Sequence, residues 1–136
     1  MGAWGYELFD DDTAYDYIDQ IGNSDNPKEI FRNAFETAIN ADYLEYDECH
    51  AVIVSASYID SILNGTKPIK DAEDGIFYQF IEKNKTLNVS DLKTDAVKAL
   101  ERVIGNNSEL NELWAENEEL YPKWKANIDD LVKRLR

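Results

Sequence analysis

Residues Asp47 to Gly65, DECHAVIVSASYIDSILNG, constrain the fold more than any other stretch. Between Cys49 and Leu63 the one formally charged side chain is Asp60. Helical periodicity places Val52, Ser55, Ala56, Ile59, Ile62 and Leu63 on one broad side. His50, Ser57, Asp60, Ser61 and Asn64 fall in a narrow polar stripe opposite, with His50 read as a partly exposed side chain. A helix apolar over most of its circumference has to be surrounded by other elements. Gly65 stands where a left-handed residue ends such a helix. The segment 47–64 is therefore expected to be the central helix of the fold.

The flanking pattern is helical throughout. Ala14, Tyr17, Ile18 and Ile21 recur at i, i+3, i+4 and i+7, with Asp10, Asp11 and Asp12 at the N-terminal end to cap free N–H groups and Gly22 as the stop. Asn26-Pro27-Lys28-Glu29 reads as a helix start with a capping box, followed by a stripe of Ile30, Phe31, Ala34, Phe35, Ala38 and Ile39. Residues 65–75 form the longest polar connection and the expected mobile loop. Ile76 to Asn84 reads as a short helix, although IFYQFI also suits a strand. Ser90 or Asp91 is expected to cap the next helix, with Leu92, Ala96, Leu100, Val103 and Ile104 inward. Ser108 opens the last stretch, where Trp114 and Trp124 read as core and Pro122 either kinks a helix or begins one. The expectation is an all-α chain: a compact irregular bundle of six or seven helices, one domain over 1–136, with an ordered arm at 1–9.

Charge is the unusual property. The chain of 136 residues carries 28 acidic and 14 basic side chains, a net −14. Residues 1–68 hold 14 acidic and 3 basic of these, a net −11, against 14 and 11 in the remainder, a net −3. Such a surface disfavours nucleic acid and anionic lipid and suits a basic protein partner. The lone cysteine, Cys49, sits in the apolar helix, as a buried thiol in a reducing compartment would. The opening residues lack the basic and apolar regions of a signal peptide, and no stretch reaches the length of a membrane span. These features point to the cytoplasm.

Catalytic signals are sparse. Asp10, Asp12 and Asp16 are weak candidates for a hard cation, and Asp12, Asp16 and Asp19 share one helix face. The spacing is not that of an EF-hand, and an N-cap with a solvated face is the preferred account of it. Cys49 and His50 are adjacent and diverge on a helix, and no orienting partner for either is apparent. No phosphate-binding glycine loop occurs, and no cofactor is expected. Tyr15, Tyr17, Tyr43, Tyr46, Tyr58, Tyr78 and Tyr121 recur near acidic residues, a composition that suits interfaces, although packing with the hydroxyl at the rim covers most of them.

The opening Met1-Gly2-Ala3-Trp4-Gly5, followed by Phe9-Asp10-Asp11-Asp12, Ala14 and Asp16-Tyr17, resembles a bacterial family named only as domain of unknown function 4259. Leu113-Trp114 and Trp124 are similar to that family's late tryptophans, whereas Val52, Ile53, Val54 and Ile59 stand where its middle helix is richer in alanine. The resemblance implies a fold and no activity. Physically, Gly2 and Gly5 allow close backbone approach around Trp4, and Phe9 and Trp4 would anchor the arm.

The leading expectation is a non-enzymatic acidic binding protein, of the inhibitor or immunity type, whose partner-binding residues are Asp10, Asp11, Asp12, Tyr15, Asp16 and Asp19. The alternatives are a metal-binding or hydrolytic enzyme using the Asp10–Asp16 carboxylates, and a structural accessory domain.

Overall fold

The structure is a computed structural model that describes residues 5–69 and 75–136. Gly2 and Trp4 lie outside the described residues, as does the middle of the 65–75 connection. The described chain is all-helical: α1 (Asp12–Gly22), α2 (Pro27–Asn40), α3 (Tyr46–Asn64), α4 (Ile76–Lys83), a 3₁₀ turn (Ser90–Leu92), α5 (Lys93–Val103), α6 (Glu109–Ala115) and α7 (Tyr121–Leu135). Among the described residues no helix is long and apolar enough to cross a membrane.

The helix expected at 47–64 forms α3 and packs against every other helix. It is more enclosed than its composition required. Cys49, His50 and all of Val52 to Ser61 are buried, so the polar stripe apart from the exposed Asn64 is inside the protein as well. Its buried serines and aspartate are paired differently. Ser57 Oγ donates to the Ile53 carbonyl one turn back at 2.8 Å, and Ser61 Oγ donates to Thr66 O at 2.7 Å. Asp60 accepts from Arg134 Nε of α7 at 2.8 Å and from Asn64 Nδ2 at 2.8 Å. Burying a carboxylate is tolerable only with such partners. Gly65 ends α3 at φ +73°, as the sequence suggested. Leu63, assigned to the apolar side, is instead exposed near this end.

Aromatic side chains fill the space between α3 and its neighbours. Phe31 stacks on Tyr58 with ring centroids 5.6 Å apart, and Phe77 and Phe80 close round the same tyrosine at 4.3 and 4.9 Å. Tyr58 is thus in the core with its hydroxyl, rather than at the rim; no hydrogen-bond partner for that hydroxyl exists among the described residues. Phe9 is buried edge-on against Phe77 at 5.7 Å. At the other end Trp114 and Trp124 stack at 5.8 Å, both buried.

Helix ends explain most of the remaining differences. Asn26 precedes Pro27 but makes no side-chain cap, and Glu29 pairs forward with Arg32 at 2.9 Å instead of reaching back. The reciprocal carboxylate is found on α3, where Glu48 Oε1 accepts from Glu45 N at 2.9 Å. Neither Ser90 nor Asp91 caps α5. Asn88 Oδ1 holds Ser90 through Oγ at 2.9 Å, Asp91 pairs with Lys28 at 2.9 Å, and a 3₁₀ turn runs straight into the helix. The aromatic run 76–81 is helical, not a strand. Pro122 lies in the first turn of α7 and begins a helix there, where its missing N–H costs nothing. Two long-range ties complete the frame. Arg102 donates to Ala38 O at 3.0 Å and Ala41 O at 2.5 Å, satisfying carbonyls at the end of α2. Leu44 exchanges backbone hydrogen bonds with Asn107 O and Glu109 N, each 2.8 Å, which fastens the entry to α3 onto the start of α6.

Candidate functional site

The acidic run before α1 divides into side chains with opposite fates. Asp11 has extended backbone at φ −157° and ψ 135° and is the N-cap: its Oδ1 accepts from Thr13 N at 2.9 Å. Its other oxygen faces α3, where Tyr46 and His50 stand one turn apart with ring centroids 4.9 Å from each other. Tyr46 donates its hydroxyl to Asp11 Oδ2, and His50 Nε2 lies 3.2 Å from the same oxygen. Burial alone would push the Asp11 carboxyl up. The contacts from His50 and Tyr46, with the Thr13 N–H, outweigh it and hold the group down at about 2. Asp11 and His50 are 2% and 4% exposed, which corrects two expectations at once. His50 is not a surface side chain, and it does have an orienting carboxylate. Asp11 is in turn removed from the partner-binding set, because capping and pairing turn it inward.

The Asp11–Tyr46–His50 cluster is a tie between α1 and α3. Both ring nitrogens of His50 are buried and neither has a hydrogen bond among the described residues, so the 3.2 Å approach of Nε2 to Asp11 is an ion-pair contact. The neighbouring Cys49 points elsewhere, with Sγ 3.4 Å from Ser108 Oγ, and burial pushes its thiol up, away from the thiolate a nucleophile needs. Sequence reasoning missed the cluster because Asp11 lies 35 and 39 positions before Tyr46 and His50. The one available signal was the i, i+4 spacing of Tyr46 and His50.

The other acidic residues face outward. Asp12, Asp16 and Asp19 are exposed along α1 with Tyr15 beside them, and Asp10 folds its carboxylate back to Glu7 N at 3.2 Å. A Cβ on Gly5 would run into that Asp10 carboxylate, so glycine here serves the turn into α1. Asp10, Asp12 and Asp16 do not converge: among the described residues no three His, Cys, Asp or Glu side chains gather in a way that could hold a metal ion. The acidic face continues across α2 and the start of α3 with exposed Glu36, Asp42, Glu45 and Asp47.

Within this face α1 and α2 each pack on α3 while scarcely touching one another. They leave a groove of about 230 Å³ lined by Glu48 and Ala51 of α3, Tyr17 and Gln20 of α1, and Ile30, Asn33, Ala34 and Thr37 of α2. The spacings explain the alignment, since positions 30, 34 and 37 form one helical stripe, and 48 and 51 another. Tyr17 is half-buried on the wall. Its hydroxyl is pushed up by burial and by the negative charges of Asp47 and Glu48.

A helical bundle with a buried polar tie and an acidic outer face defines a class of small all-α acidic proteins. Its family is established by residues 2–127, which match the model of Domain of unknown function (DUF4259); the chain belongs to that family. No curated protein and no solved structure matches it.

Proposed function

We propose that this chain is a non-enzymatic binding protein that engages a basic partner protein through the acidic face of α1, α2 and the start of α3, in the manner of an inhibitor or immunity protein. One observation carries the reading. On α1, α2 and the start of α3 the basic side chains are Lys28 and Arg32, and both are already paired with carboxylates. Lys28 is 2.9 Å from Asp91, and Arg32 is 2.9 Å from Glu29. Exposed like charges held together on a folded surface repel one another, and a cationic partner relieves that repulsion. Exposed Tyr15 and Tyr43 and half-buried Tyr17 add aromatic anchors among the carboxylates. The inward-facing Asp11–His50 pair has a structural role in this reading.

The test is capture of partners on the immobilised chain, followed by reciprocal binding of the purified candidate at low and high salt. A stoichiometric basic protein whose binding weakens steeply with salt and is lost in Asp16→Lys/Asp19→Lys supports the reading. Binding indifferent to both salt and charge reversal contradicts it.

A further inference from the structure

We propose that the groove between α1 and α2 is a receptor for one lysine or arginine side chain of that basic partner, a reading that rests on the acidic binding face described above. The groove is too small for a cofactor. Its volume of about 230 Å³ falls below the ~300–1,000 Å³ usual for small-molecule pockets. Its shape and lining suit a long side chain with an apolar stem and a cationic tip. Two of its lining residues, Ala34 and Ala51, are alanines, whose small side chains leave the space open. Ile30 and the Tyr17 ring offer apolar and aromatic surface to the stem, and the phenol ring also attracts a cation over its face.

Charge complementarity selects the occupant. Glu48 lines the groove and Asp47 stands close enough for its charge to act on Tyr17. Among the described residues no lysine or arginine lines the groove to neutralise them. An anionic or fully apolar ligand would meet uncompensated carboxylates there, whereas a guanidinium or ammonium would pair with them after its methylenes had covered Ile30 and Ala34. The arrangement also gives a division of labour. The broad field of Asp12, Asp16 and Asp19 accelerates encounter, and the groove holds a single anchor and fixes register.

The test uses the full chain, ¹⁵N-labelled, titrated with a blocked hexa-arginine peptide at low salt. Amide shifts should centre on Tyr17, Ala34, Thr37 and Ala51. Ala34→Leu, which fills the groove without changing charge, should weaken the peptide by about tenfold or more. Glu48→Gln, which removes the charge but retains an acceptor for Glu45 N, should weaken it several-fold, and Glu118→Gln at a distant exposed site should not. The shift map on the unaltered chain serves if Ala34→Leu fails to fold. Salt-sensitive peptide binding that maps only to Asp12, Asp16 and Asp19, unaffected by Ala34→Leu, overturns the groove while leaving the acidic-face reading intact. No binding at low salt overturns both. Sedimentation of the chain alone completes the test: self-association abolished by Ala34→Leu would make the occupant a second copy and overturn the proposal.

Discussion

The Asp11 carboxylate and the His50 imidazole meet 3.2 Å apart inside the protein, and their contact joins the cap of α1 to the first turns of α3. One carboxylate thus serves two purposes. Its Oδ1 satisfies a helix N–H, and its Oδ2 accepts from the Tyr46 hydroxyl and lies against His50.

This pair makes stability depend on acid. The Asp11 carboxyl is depressed in the folded protein from an ordinary 3.8 to about 2, so the unfolded chain binds the proton more readily. Its contribution is complete above about pH 4 and is lost as pH falls through about 2. Allowing for solvent screening, the amount is about 1–2 kcal/mol. Urea unfolding followed by circular dichroism from neutral pH down to about 2 should show Asp11→Asn less stable than the parent at neutral pH, with the difference shrinking as pH falls through the window from about 4 to about 2. A difference that stays constant with pH contradicts the assignment.

The second buried carboxylate predicts an asymmetry. Asp60 is inside and Arg134 is partly exposed, so removing the arginine leaves an uncompensated buried charge. Arg134→Ala should cost about 2–3 kcal/mol, somewhat under the value for fully buried pairs. The double substitution Asp60→Asn/Arg134→Ala should recover part of the loss. Thermal denaturation of the single and double variants reads this directly, and strictly additive losses would contradict it.

Tyr58 offers a test in the opposite direction. Its hydroxyl is buried without a partner among the described residues, and burial pushes its ionisation up, as expected in apolar surroundings. Tyr58→Phe keeps the rings of Phe31, Phe77 and Phe80 in contact and removes the unpaired group. The variant should be equal or more stable, by up to about 1 kcal/mol, in denaturant titration. A loss above about 1 kcal/mol would mean that the hydroxyl is hydrogen-bonded.

At Gly65 the backbone rather than packing decides. With φ at +73° and nothing within 4 Å of a built Cβ, Gly65→Ala meets no clash but must hold a conformation L residues avoid. The cost should be about 1 kcal/mol, seen as a lower melting temperature with unchanged helix content.

These cases show what one sequence can reveal. The central helix, its Gly65 terminus, the acidic cap of α1 and the inward tryptophans were legible because each is a local pattern. The burial of the polar stripe was not. His50 is enclosed by a carboxylate 39 positions earlier and Asp60 by an arginine 74 positions later, and no periodicity in α3 announces either. Asn26 and Ser90 also failed as caps. Ser90 lies within a 3₁₀ turn that runs into α5, and at Asn26 the Glu29 carboxylate pairs forward with Arg32. The groove was invisible because three helices contribute to it, and its emptiness comes from alanines that look like ordinary helix formers.

The central claim is that the acidic face of α1–α3, rather than net charge, binds a basic protein. The most direct measurement is the affinity of a captured basic partner for two charge-reversed variants of equal net charge. Asp16→Lys/Asp19→Lys alters that face, and Glu118→Lys/Glu119→Lys alters exposed positions before α7. The first pair should weaken binding by at least about tenfold, and the second should change it less than about twofold. Equal losses from both variants would contradict the account.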